Sequence, residues 1–65
     1  MSVLSTRQRE VVALVAAGYT NPAIARLLGV CVGSVKKALE VARRKLGATN
    51  RWHAVVLAVE TGELR

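Results

Sequence analysis

The sequence reads as an all-α domain of four short helices, on three observations. Nowhere do apolar and polar residues alternate for long enough to make a strand. Apolar residues instead recur at spacings of three and four, the repeat of one helix face. Gly and Asn punctuate the chain at short intervals, which leaves room only for short helices between them.

The first helix is expected to begin after Ser5. Ser5 and Gln8 have the spacing of a capping box, in which two side chains satisfy backbone donors at the helix start. Val11, Leu14 and Val15 then form an inward stripe, and Gly18 is a natural left-handed stop. Asn21-Pro22 opens the second helix, with Asn as N-cap and Pro at the first helical position, where a missing N–H does no harm. Ile24, Ala25, Leu27 and Leu28 supply its apolar face, and Gly29 ends it. The third helix runs from about Val32 to Leu46. Val35, Leu39, Ala42 and Leu46 point inward; Lys36, Lys37, Glu40 and Arg44 fall on the outer side, with Val41 at its edge and Arg43 and Lys45 near the flanks. Cys31 stands just ahead of this helix, where a capping serine is expected. Asn50 caps the fourth helix, about Arg51 to Thr61, which Gly62 closes. That helix is apolar almost all round, whereas a surface helix on a small monomer is polar over half its circumference. A covering partner is therefore expected.

At 65 residues the chain is expected to be one domain, residues 1–65. A domain this small buries only about 60% of the surface its unfolded chain exposes, so it gains from a partner or ligand. One cysteine cannot form an internal disulfide, and no Cys/His cluster has metal spacing, so no metal or cofactor is expected. His53 has no candidate second ligand or nucleophile. The single thiol fits a reducing cytosol. The runs Val11 to Ala17 and Ala54 to Val59 are too short to span a bilayer, and the N-terminus lacks the regions of a secretory signal. A cytoplasmic location without a membrane partner is the expectation.

Ten Lys/Arg against four Asp/Glu give a formal net charge of +6. That balance favours a polyanionic partner, nucleic acid before an anionic membrane surface. With no Phe, one Tyr and one Trp, the chain lacks the stacking platforms that single strands need, so a duplex is the better fit. An enzyme is disfavoured: there is no nucleophile–base pair, carboxylate pair or phosphate-cradling glycine loop, and the chain is too short to enclose a sizeable pocket.

Gly29-Val30-Cys31 joins a short helix to a longer one with an exposed basic face, which is a helix-turn-helix arrangement. In it the second helix fills the major groove while the first crosses the backbone. Its cations neutralise phosphates, and a bidentate Lys or Arg can read guanine edges.

Leu4, Arg9-Glu10-Val11, Gly18, Asn21, Ile24-Ala25, Val35-Lys36, Lys45-Leu46-Gly47, Arg51 and Ala54-Val55 form an ordered set. With them, residues 4 to about 64 resemble the DNA-binding domain of LuxR/GerE-type transcription regulators. The resemblance implies a four-helix domain whose third helix is the recognition helix, and dimerisation, often through the fourth. It puts Lys36 and Lys37 where base and phosphate contacts lie. The expected DNA-facing set is Ser34, Lys36, Lys37, Glu40, Val41 and Arg44, with Thr20, Asn21 and Cys31 at the helix starts. The resemblance also places Ala54, Val55 and Ala58 on the core side of the fourth helix. That leaves Trp52, Val56 and Val59 as an exposed apolar stripe, the expected homodimer interface.

Several positions depart from the family pattern. Pro22 and Ala23 replace a common Lys-Glu, Cys31 a Ser/Thr, and Ala38 a His. Glu40 stands where a neutral or basic residue is common; its carboxylate repels phosphate but can accept from cytosine N4. Family members usually carry an upstream receiver or ligand-binding domain, so the chain is expected to be either a stand-alone regulator or an excised domain. Cys31 has two readings, a tolerated small residue or a redox-sensitive thiol at a helix N-terminus. Arg43, Arg44 and Lys45 read as backbone contacts or solubilising charge, Tyr19 as packing, and Trp52 as either core or interface. Two other functions compete. Residues 32–47 also resemble region four of sigma factors, although the tail fits LuxR-type regulators better. A protein-binding adaptor or antagonist, its apolar fourth helix pairing with a larger regulator to poison it as a mixed dimer or seating on RNA polymerase, is the third reading.

Overall fold

A computed structural model of the chain describes residues 3–64. Its four α-helices are α1 (Thr6–Ala16), α2 (Asn21–Leu28), α3 (Val32–Leu46) and α4 (Arg51–Glu60), with no strand among the described residues.

The capping box at the start of α1 forms as expected. The Ser5 hydroxyl accepts the Gln8 N–H at 3.1 Å, and the Ser5 N–H donates to Gln8 Oε1 at 2.9 Å. The same Gln8 oxygen accepts from Lys45 Nζ at 3.1 Å, which ties the start of α1 to the end of α3. At α2 the structure corrects the reading by one residue. Thr20, not Asn21, is the N-cap: its backbone is extended, and its hydroxyl accepts the Ala23 N–H at 3.3 Å. Asn21 is the first helical residue and Pro22 the second. Both positions lie among the first four, whose N–H groups have no helical partner, so a proline fixes the start only to within a residue. Gly29 ends α2 with φ of +69°, a conformation that costs glycine little. Its turn lets the Val30 N–H donate to the Ala25 carbonyl at 3.0 Å, and leads straight into Cys31 and α3.

The interior is aliphatic and small. Val11, Val15, Ile24, Ala25 and Val35 pack α1, α2 and α3 together. Leu4, Val12, Ala42 and Ala58 pack α1 and α3 against α4, with Leu39 and Val55 touching both clusters. Helix α3 thus lies against all three others. The expected stripe of Val11, Leu14 and Val15 faces inward, with Leu14 only partly buried; Val12, which the stripe left out, is fully buried beneath α4. Leu27 is a second correction, since it is 58% exposed. Ile24, Ala25 and Leu28 already fill the buried arc of this eight-residue helix, and Leu27 falls outside it. The first and last described segments are joined through Glu63, whose carboxylate accepts the Val3 and Leu4 N–H groups at 3.0 and 3.2 Å.

Candidate nucleic-acid interface

The inward anchors Val35 and Ala42 are fully buried, and they turn the opposite side of α3 to solvent. Ser34, Lys36, Lys37, Glu40 and Arg44 are exposed there, and Val41 is half-buried at the edge. Neither Lys36 nor Lys37 makes an ion pair with a described residue. Two ammonium groups are thus held outward on a rigid helix with their donors open.

Glu40 is differently placed. Arg43 grips its carboxylate with two N–H groups, Nε on Oε2 at 3.2 Å and Nη2 on Oε1. Arg44 adds Nε on Oε1 at 3.1 Å. The Arg43 hydrogen bonds, then the positive charges of Arg43 and Arg44, hold the Glu40 carboxyl below the usual carboxylate range. Arg43 also donates Nη1 to the Ala48 carbonyl at 2.9 Å, beyond the end of α3. It is therefore a structural clasp, not a free cation, and Lys45 is partly engaged by Gln8. The spacing of Glu40 with Arg43 and Arg44, three and four residues on, was the sequence signal for this cluster.

Thr20, Asn21 and Lys36 meet at one open cleft of about 560 Å³ with Arg51 and Trp52. Arg51 donates Nη2 to Asn21 Oδ1 at 3.3 Å, bridging α4 to the start of α2. A guanidinium only donates, so this bond occupies the Asn21 oxygen and leaves its amide N–H₂ available as a donor. Arg51 as a contributor was not visible in the sequence, because its partner lies 30 positions away. Cys31 occupies the N-cap of α3 but makes no capping bond; its Sγ lies 3.2 Å from the Ser34 hydroxyl. That hydroxyl, followed by the Ser34 backbone amide, lowers the thiol pKa from its ordinary value.

Away from this face, Trp52, Val56 and Val59 are 59%, 51% and 55% exposed, an apolar stripe along α4. Trp52 is therefore not part of the core of a single chain; the Arg51 guanidinium lies 5.8 Å from its ring centroid. His53 is taken up locally, its Nδ1 accepting the Thr49 N–H at 3.0 Å. No helix among the described residues is long and apolar enough to cross a membrane.

Comparison with known proteins supplies the family. Residues 2–58 match the model of the family described as GerE, bacterial regulatory proteins of the luxR family. The chain is 43% identical over 61 residues to the HTH-type transcriptional activator RamA of Corynebacterium glutamicum, covering 94% of this chain and 22% of that protein. It is 39% identical over 56 residues to the transcriptional activator protein BjaR1 of Bradyrhizobium diazoefficiens, covering 86% of this chain and 23% of that one. The chain thus spans about a quarter of the length of these relatives. Among solved structures, that of the transcription factor GerE superposes with a TM-score of 0.95 at 28% identity, covering 100% of this chain and 97% of that one. With the helix-turn-helix formed by α2 and α3 and its outward lysines in place, the chain belongs to the luxR family of bacterial regulatory proteins and has the four-helix fold of GerE.

Proposed function

We propose that this chain is a sequence-specific double-stranded DNA-binding unit of a transcription regulator, acting as a homodimer with α3 in the major groove. The observation that carries this reading is the pair Lys36 and Lys37, exposed on α3 and without an acidic partner among the described residues. Cations so presented are hydrated until they displace counterions from a polyanion, which gives salt-dependent affinity. Ser34, Val41 and Arg44 extend the same face, and Glu40 belongs to it through Arg44. Thr20, Asn21 and Cys31 lie at helix starts, where free N–H groups and short polar side chains suit backbone phosphates. The exposed stripe of Trp52, Val56 and Val59 offers an apolar surface that a second copy would cover. Two α3 helices related by a two-fold axis would then read half-sites about one helical turn apart. A cytoplasmic location follows from that role.

Gel-shift titration over a salt series tests this. Lys36→Ala and Lys37→Ala should each weaken duplex binding. A phosphate contact shows as a salt slope smaller by roughly one unit, and a base reader as ~1–3 kcal/mol lost at one base pair. Unchanged binding by both variants would defeat the proposal. Binding of duplex only when a larger regulator or RNA polymerase is added would favour the adaptor reading instead.

A further inference from the structure

Glu40 is the only acidic residue in α3, and it lies on the face turned toward the proposed duplex. A bare carboxylate there would repel phosphate. Its actual setting is different, because three N–H groups converge on it, two from Arg43 and one from Arg44. Oε1 receives two of them. The anchor is Arg43, which is also bonded to the Ala48 carbonyl at 2.9 Å and whose side chain is only 30% exposed. Connection runs outward from there: Ala48 carbonyl, Arg43, Glu40, Arg44. Arg44 sits at the open end, with its side chain 74% exposed. It gives Glu40 only its Nε, at 3.1 Å, and its terminal Nη groups have no partner among the described residues. That terminal edge is the one a guanidinium uses end-on against a pair of acceptors, whether guanine O6/N7 or two phosphate oxygens. Taken together, the three side chains carry one net positive charge.

Resting on the DNA-binding reading above, we infer that Glu40 is a positioning residue. It makes no contact with the duplex; it holds the Arg44 side chain by its Nε so that the Nη edge meets an acceptor pair of the duplex. A single exposed ion pair would fix little. The Arg43 fork, closed on the turn after α3, makes the carboxylate a fixed point, so Arg44 reaches the duplex already oriented.

The test is a double-mutant cycle on the preferred duplex, found by selection from random DNA with the full chain. Wild type, Glu40→Gln, Arg44→Gln and the double variant are titrated over a salt series, with circular dichroism confirming equal helicity of these surface variants. Glu40→Gln removes a negative charge from a DNA-binding face, so simple electrostatics requires tighter binding. The positioning role requires the reverse. Glu40→Gln should weaken the preferred duplex about tenfold, the weaker end of the range for one bidentate contact. The double variant should bind no more weakly than Arg44→Gln alone. The salt slope then separates the acceptors: Arg44→Gln lowers it by about one unit if the pair is phosphate, and leaves it unchanged with a loss confined to one base pair if it is guanine. Tighter or equal binding by Glu40→Gln, an Arg44→Gln variant that binds like wild type, or additive losses would each overturn the inference. Should Lys37→Ala weaken binding while any of these occurs, only the role of Glu40 falls. A wild-type chain that prefers no duplex would remove the DNA-binding reading and this inference together.

Discussion

Cys31 is the residue whose chemistry departs furthest from its position. Its backbone is extended, as at a helix start, yet its Sγ, 3.2 Å from the Ser34 hydroxyl, makes no capping bond to a backbone N–H of the first turn of α3. Ser5, Thr20 and Asn50 each make that bond at the other three helices. The reason is the sulfur, a larger and weaker acceptor than a hydroxyl oxygen. Cys31→Ser restores an ordinary cap, and thermal melting should show Tm higher by about 2–6 °C for a domain of this size. A Tm at or below the wild-type value would mean that the turn is closed by other groups. The sequence showed this substitution directly, and it showed Lys36 and Lys37 as outward cations. It also held the spacing that joins Glu40 to two arginines. Reading Glu40 against DNA alone missed that link, because the competing partner lay one helical turn away on the same helix.

Among the elements, α4 exposes the broadest apolar stripe, the surface that the proposed homodimer would cover. Ala54, Val55 and Ala58 face the core, and the small Ala58 side chain lies fully buried with Ala42 of α3. The opposite stripe exposes Trp52, Val56 and Val59. Because Val59 is solvent-facing, Val59→Glu should leave helicity and Tm of the single chain nearly unchanged. It should abolish the proposed homodimer, measured by sedimentation, together with any concentration dependence of Trp52 fluorescence. A Val59→Glu chain that still dimerises would move the interface elsewhere. Both faces of α4 were legible because its apolar residues exceed one helix stripe, and the resemblance divided them. Helix α2 was less legible. Thr20 and Asn21 can both cap, and in eight residues a leucine just outside the buried arc, Leu27, cannot be told from one inside it by spacing alone.

For the molecule as a whole, the four helices and most buried positions followed from local signals: caps, glycine stops and the 3.6-residue repeat. What local signals could not supply were the links between distant segments. Lys45 bonds Gln8 across 37 positions, Arg51 bonds Asn21 across 30, and Glu63 closes on Val3 across 60. Such pairs depend on how helices cross, and polar residues at helix ends carry no periodicity that marks them. The buried aliphatic clusters hold α3 in a cradle made by the other three helices, with its lysine-bearing side outward, and of these links Lys45–Gln8 is the one that reaches α3 itself. Amide chemical-shift mapping of the full chain during titration with its preferred duplex tests that arrangement most directly. Residues 33–44 and the start of α2 at Thr20 and Asn21 should move most, while the buried positions of α1 stay in place. If residues 33–44 remain unperturbed while the duplex binds, α3 is not the element that meets DNA.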